Sequence, residues 1–205
     1  VFWVRRKNGE VWTFDGSMKA KPTGVTGAVE LSRFGALHAD GKVTMLADGP
    51  PHDVPGLKAK HLGQGDGGAY CVIADDDGLL CWGTNDFHQL ADGTTKEGTA
   101  PSPVKGVSKV DEAGSAYFWE TCALSVGTVK CWGGEVSGLV RPTPMKGLAH
   151  VTHLALGEYH ACALLEGGTV KCWGSNATGQ LLVPVIEGKD TSSNDPVAAV
   201  GVDHV

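Results

Sequence analysis

One pattern recurs along this chain and decides most of what it can become. HACALLEGGTVKCWGSNATGQL at residues 160–181 is echoed by TCALSVGTVKCWGGEVSGL at 121–139 and by YCVIADDDGLLCWGTNDFHQL at 70–90. Each copy holds a cysteine, a glycine turn and then Cys-Trp-Gly. Two degenerate copies, RRKNGEVWTFDG at 5–16 and HADGKVTMLADG at 38–49, keep the hairpin pattern and lack the cysteines. After each hairpin comes a short apolar segment with a glycine, at Gly24, Gly56, Gly106, Gly147 and Gly188, giving intervals of 32, 50, 41 and 41 residues. Counting from Gly188 through both chain ends to Gly24 adds 205 − 188 + 24 = 41. Units of roughly 40 to 50 residues, each made of four short strands, are the mark of propeller blades rather than helical solenoids. With 30 Gly and 10 Pro among 205 residues, turns are too frequent for a helix bundle.

The alternation within a unit predicts four strands. In the last unit these are His150–Leu156, His160–Leu165, Thr169–Trp173 and Leu182–Ile186, with Gly167-Gly168 as the hairpin turn. The same turn recurs at Asn8-Gly9, Asp40-Gly41, Asp77-Gly78 and Val126-Gly127, the fourth hairpin having a different tip because its cysteines are one residue closer. No first strand precedes the N-terminal hairpin, and Asp195–Val205 reads as an opening strand without a sequel. The expectation is an all-β, five-bladed β-propeller of four-stranded blades, the first blade completed by the C-terminal strand. Its units run approximately 1–25, 26–57, 58–107, 108–148 and 149–188, with 189–205 closing the ring; a slice of a longer propeller is the alternative. Because the chain begins at Val1, it is read as a mature or excised form.

The matched residues of 157–181 are Gly157, His160, Cys162, Ala163, Leu164, Gly168, Val170, Cys172, Trp173, Gly174, Asn176, Gly179, Gln180 and Leu181. In this set the chain resembles the regulator of chromosome condensation repeat family. The third unit retains Asn85, Gln89 and Leu90, and the first two units are degenerate. The resemblance implies a β-propeller acting as a protein-interaction platform, in a family whose members serve as a nucleotide exchange factor for a small GTPase or as a proteinaceous β-lactamase inhibitor. It implies no shared catalytic residue. Family propellers commonly have seven blades against the five counted here, so only fold and general role carry over.

The six cysteines fall as Cys71/Cys81, Cys122/Cys131 and Cys162/Cys172, each pair on the two strands of one hairpin. That placement predicts three intra-blade disulfides and hence an oxidising location: secreted, periplasmic or cell-surface. No compact Cys/His cluster suggests zinc. A net charge of −6 argues against backbone-driven nucleic-acid binding, and no apolar run approaches the roughly 18 residues of a membrane span.

No nucleophile elbow, phosphate loop or dinucleotide fingerprint occurs, and no cluster of titratable groups marks a central channel, so no catalytic residue, cofactor or metal is expected. His160 and His204 read as structural, Asp75-Asp76-Asp77 as a solvated tip, and Asn176-Ala177-Thr178 as repeat motif rather than glycan acceptor. Trp82, Trp132 and Trp173 share one register and read as packing between blades. Aromatic residues gather at the turns between first and second strands. Beyond Phe2 and Trp3, the candidate partner-binding set is Phe34, Tyr70, Tyr117, Phe118, Trp119 and Tyr159. The long loop Thr84–Ser102, with Asp92, Lys96 and Glu97, opens on the same face. The functional expectation is a non-enzymatic module binding a protein partner through that aromatic loop face. Alternatives are a lectin-like propeller binding carbohydrate, or an inhibitor or regulator of an enzyme or GTPase.

Overall fold

Short strands joined by glycine turns form five antiparallel sheets in chain order. A computed structural model describes residues 2–14, 17, 19–65, 68–116, 120–134, 138–186 and 189–202. The first sheet holds β1 (Phe2–Arg5), β2 (Val11–Phe14) and β3 (Ala20–Pro22), and the second β4 (Ala28–Leu31), β5 (Gly35–His38), β6 (Val43–Met45) and β7 (His52–Asp53). The third holds β8 (His61–Leu62), β9 (Ala69–Ile73), β10 (Leu79–Gly83) and β11 (Gly98–Pro103); the fourth β12 (Val110–Ser115), β13 (Thr121–Ser125), β14 (Thr128–Gly133) and β15 (Leu139–Pro144). The fifth holds β16 (Val151–Leu156), β17 (His160–Leu165), β18 (Val170–Gly174) and β19 (Ser193–Ala198). No helix among the described residues is long and apolar enough to cross a membrane.

Consecutive sheets stack face to face, and the repeat tryptophans fill the seams. Trp82 packs with Leu37, Val43 and Met45 of the sheet before it. Trp132 does the same with Ala69, Cys71 and Leu79, and Trp173 with Cys122 and Leu124. Both faces of an inner sheet are thus covered, which is why short runs such as Tyr-Cys-Val-Ile are buried almost throughout instead of alternating. The glycine after each tryptophan is a backbone necessity. Gly83, Gly133 and Gly174 all have positive φ, at 94°, 75° and 104°, and a Cβ on Gly133 would meet the Gln89 Cα and the Phe87 carbonyl oxygen at 3.0 Å.

The cysteines stand directly opposite one another: Cys71 pairs with Cys81, Cys122 with Cys131 and Cys162 with Cys172 in strand register. Their Cα atoms are 4.2, 4.1 and 4.0 Å apart, the spacing of non-hydrogen-bonded pairs, and each pair lies at disulfide distance. The fourth hairpin does have a different tip. Ser125 opposes Thr128 across only two residues, Val126 and Gly127, both at positive φ, whereas Asp75-Asp76-Asp77 makes a longer turn in the third. In that longer turn Asp76 accepts the Gly78 N–H and Asp77 pairs with Lys60 at 2.7 Å, as a solvated tip should.

The C-terminal segment corrects the expected ring closure. β19 pairs with β18 as the outer strand of the fifth sheet, so residues 193–198 do not complete the N-terminal sheet, which has three strands among the described residues. Backbone bonds locate the error. In the first four units the residue after the outer strand donates to a carbonyl at or next to the start of the strand it pairs with: Thr23 to Val11, Val54 to Val43, Val104 to Leu79 and Met145 to Val129, at 2.9 to 3.0 Å. In the fifth unit that donor is Ala199, bonded to Val170 at 3.0 Å, so the true counterpart of Gly147 is Gly201. Its interval is 201 − 147 = 54 residues, and the fifth unit extends beyond residue 188. The apolar stretch that imitated the marker is loop: Val185 and Ile186 are 55% and 50% exposed, and the expected strand Leu182–Ile186 does not form. Gly188, which anchored the circular count, lies outside the described residues.

Candidate interaction face

The loops between third and fourth strands are built from within. In the third unit Asn85 is 1% exposed. Its Oδ1 accepts the Leu90 N–H at 2.9 Å, and its Nδ2 donates to Asp92 Oδ1 at 3.1 Å and to the carbonyls of Thr94 and Lys96 at 3.0 Å each. Gln89 closes the smaller turn by accepting the Phe87 N–H at 2.9 Å. Asp92 in turn accepts the Thr94 N–H at 2.8 Å. Burial opposes ionisation of Asp92, but the Thr94 and Asn85 hydrogen bonds outweigh it and hold its carboxyl below the ordinary range. Residues 92–97 are consequently exposed yet tied to a buried amide.

The fifth unit repeats this device. Asn176 is fully buried, accepts the Leu181 N–H at 3.0 Å and donates to Thr191 Oγ1 at 2.8 Å, while Gln180 accepts the Thr178 N–H at 2.8 Å. An amide so enclosed is part of the repeat and is not presented to a glycosylating enzyme. Sequence reasoning noted Asn85 and Gln89 as motif residues without seeing that they organise the longest loop.

The candidate aromatic residues part company. Phe34 is 2% exposed, its ring 5.2 Å from Tyr70 and 5.9 Å from Trp82. It belongs to the seam between the second and third sheets and presents no surface, which corrects its place in the binding set. Tyr70 is half-buried at the mouth of that seam and donates its hydroxyl to Asp48 Oδ2 at 2.6 Å. Burial, and then the Asp48 carboxylate, push its phenol well above the ordinary range, so it stays protonated. Tyr159 is half-buried at the turn before β17, Phe2 is 65% exposed, and Trp3 donates its indole N–H to the Arg33 carbonyl at 3.2 Å. Tyr117, Phe118 and Trp119 lie outside the described residues, as does His204. The His160 ring sits over Gly157, where a Cβ would meet it at 2.5 Å, in keeping with a structural part.

The sequence offered no titratable cluster, yet the first strands of successive sheets bring one together. Glu30, His61, Glu112 and His153 occupy the same position on β4, β8, β12 and β16, judged by their pairing with Leu37, Ile73, Leu124 and Leu164. Glu30 accepts from Leu62 N at 2.9 Å and meets His61 Nδ1 at 3.1 Å. Glu112 accepts from Leu154 N at 2.5 Å and meets His153 Nδ1 at 2.9 Å. Gln64 reaches past the fourth sheet, donating to the Leu154 carbonyl at 3.0 Å and accepting the Leu156 N–H at 3.2 Å. Each carboxylate joins one sheet to the next through a backbone N–H, so the row acts first as a fastening of inner edges. Among the described residues, metal-ligand atoms converge in a group of three only at Glu120, Cys122 and Cys131, and those two cysteines are paired with each other.

Sequential antiparallel sheets, one of three strands and four of four among the described residues, with tryptophans in three of the seams, define a propeller-type repeat protein, all β. Residues 151–180 match the family model described as "Regulator of chromosome condensation (RCC1) repeat", so this stretch carries a repeat of that type. Among solved structures it is similar to human WBSCR16, at 19% identity and a TM-score of 0.77, over 96% of this chain and 64% of that one. It is likewise similar to Prp20p of Saccharomyces cerevisiae, in a structure whose description concerns binding to Gsp1p and histones, at 16% identity and a TM-score of 0.73, over 98% of this chain and 63% of that one. The yeast protein bound to Kap60 gives 16% identity and a TM-score of 0.72, over 98% and 62%. The chain thus spans less than two thirds of the length of these structures. No curated protein matches it in sequence.

Proposed function

We propose that this chain is a non-enzymatic protein-interaction module that binds a protein partner through its loop face and works in an oxidising compartment. The observation that carries the reading is the loop at residues 84–97, exposed over 92–97 but held by the buried Asn85. A loop already ordered loses little entropy on binding, so its charged side chains and the neighbouring rings become usable contact area. Tyr70 and Tyr159, with Tyr117, Phe118 and Trp119 by their place in the repeat, are the proposed aromatic contacts. Prp20p, of like fold, is described as binding Gsp1p and histones, which lends the same general role. The oxidising compartment rests on the three cysteine pairs at bonding distance.

The test is comparative affinity capture with intact protein as bait. A partner retained by wild type and by a hairpin-tip variant, Asp75→Ala, but lost by the loop-face variants Lys96→Ala and Tyr159→Ala supports the reading. Equal retention by all of them refutes it.

A further inference from the structure

Trp82 and Trp132 occupy equivalent places, opposite Tyr70 and Thr121 on the second strands of their sheets. Their surroundings differ. Trp132 is 0% exposed and donates its indole N–H to the Gln89 carbonyl at 2.7 Å, because the third unit's long loop folds over the seam. The second unit has only residues 46–51 between β6 and β7, with no Asn, Gln or Leu of the repeat motif in the corresponding places. At that seam Trp82 is 7% exposed and its indole N–H has no acceptor among the described residues. Beside it a cleft of about 340 Å³ opens. Met45, Tyr70, Trp82 and Pro101 give it apolar walls, and its charged and polar lining includes Asp48, Glu97, His52 and Asp53, the last already paired with Lys42 at 3.3 Å.

We propose that this cleft binds a cationic side chain, arginine or lysine, carried on an extended segment of a partner protein. Neither Asp48 nor Glu97 has an ion-pair partner among the described residues, although both lie near the Tyr70 ring. Tyr70 keeps its proton and donates to Asp48, so the negative charge of the cleft rests on the carboxylates. A guanidinium or ammonium between them gains charge-assisted hydrogen bonds and the faces of two aromatic rings. The backbone of an extended segment supplies what else is missing, a carbonyl for the Trp82 N–H. A neutral ligand leaves both carboxylates unmatched, and an acidic one meets them and a chain of net charge −6. The site deepens the protein-binding reading by naming the chemistry of one contact.

The experiment is an NMR titration of ¹⁵N-labelled intact protein, watching the Trp82 indole N–H assigned by its loss in Trp82→Phe. The probes are the blocked tripeptide acetyl-Gly-Arg-Gly-amide, its citrulline counterpart and methyl glucoside. The expected result is a saturable shift with the arginine probe, weaker by about tenfold or more with citrulline and in the double variant Asp48→Asn/Glu97→Gln, the loss of one effective charge pairing. Asparagine tolerates the positive φ of Asp48, 60°, and the other indole signals report that the variant is folded. A shift that is absent, unsaturable, equal with citrulline or reproduced by the glucoside overturns the proposal. Partner capture that depends on the loop face while the Trp82 signal stays still would remove the cleft and leave the broader function standing.

Discussion

Replacing Asn85 with alanine isolates the part of the molecule on which the interaction face depends. The substitution leaves the buried Leu90 N–H without its acceptor, since Asn85 Oδ1 is its partner at 2.9 Å. An orphaned buried donor costs roughly 1 to 3 kcal/mol. The carbonyls of Thr94 and Lys96 also lose their donor, but both residues are exposed and water can replace it, so they add only about 0.5 to 1 kcal/mol together. The total is about 1.5 to 4 kcal/mol, which in a chain of this size lowers the melting temperature by roughly 3 to 16 °C if the whole fold melts together. Stacked units can open separately, so the sharper assay is hydrogen exchange at the Leu90 amide, expected to accelerate by more than tenfold while Cys122–Cys131 hairpin amides are unchanged. Asn85→Asp keeps the acceptor yet turns a carboxylate toward Asp92 and two carbonyls, and it should be no better tolerated. If Leu90 exchange in Asn85→Ala matches wild type, the loop is not held by this amide and the preordered face loses its basis.

Other consequences follow from single features. Val126, β-branched and 72% exposed, sits at φ 47° in a two-residue turn, so Val126→Asn should stabilise by about 1 kcal/mol in urea denaturation; a loss of stability would contradict the assigned turn. Mass spectrometry without reductant should find crosslinks 71–81, 122–131 and 162–172, and replacing both members of one pair by alanine should cost about 2 to 3 kcal/mol. The raised phenol of Tyr70 favours the protonated form in the folded state. Its contribution is therefore complete below the ordinary tyrosine range near pH 10 and is lost as pH rises beyond it, visible as a late 295-nm increment absent from Tyr70→Phe. Asp53 behaves oppositely: the Thr44 hydroxyl bond lowers its carboxyl, so its contribution is present above about pH 4 and disappears on acidification, a dependence that Thr44→Val should weaken.

The hairpins were legible because everything that specifies them is local. A glycine or Asp-Gly turn fixes the loop, and cysteines equidistant from it must face each other across two strands. The outer strand of the fifth unit was not legible for the opposite reason. Eighteen residues, 175–192, separate β18 from β19, and inside them Val-Pro-Val-Ile-Glu-Gly copies the composition of a marker, while the bond to Val170 that a marker makes comes from Ala199. Phe34 misled in another way. It follows the polar Ser32-Arg33, like an exposed turn aromatic, but β5 is covered on both faces, so an aromatic ring at its start goes into a seam. The Glu30/His61 and Glu112/His153 pairs carry no local signal at all; their partners are 31 and 41 residues away and meet only when first strands line up side by side.

The two tryptophan seams allow a within-protein comparison that separates repeat maintenance from binding. Trp132→Phe removes a buried indole and also strands the Gln89 carbonyl that accepts its N–H at 2.7 Å. Trp82→Phe removes an indole of the same size whose N–H bonds to nothing among the described residues. The cavity terms are similar because both rings fill one seam position, so the difference in unfolding free energy measures the lost hydrogen bond and its orphaned acceptor, about 1 to 3 kcal/mol. Trp132→Phe should be the more destabilising by that amount in urea denaturation, with unchanged m-values marking a comparable transition. The reasoning fails if Trp82→Phe costs as much or more, since Trp82 would then be sealing its seam as Trp132 does. The expected inequality means that the second seam is not sealed as the third is: the short connection at residues 46–51 leaves the Trp82 N–H without the carbonyl that Gln89 gives Trp132, beside a cleft that Asp48 and Glu97 help to line.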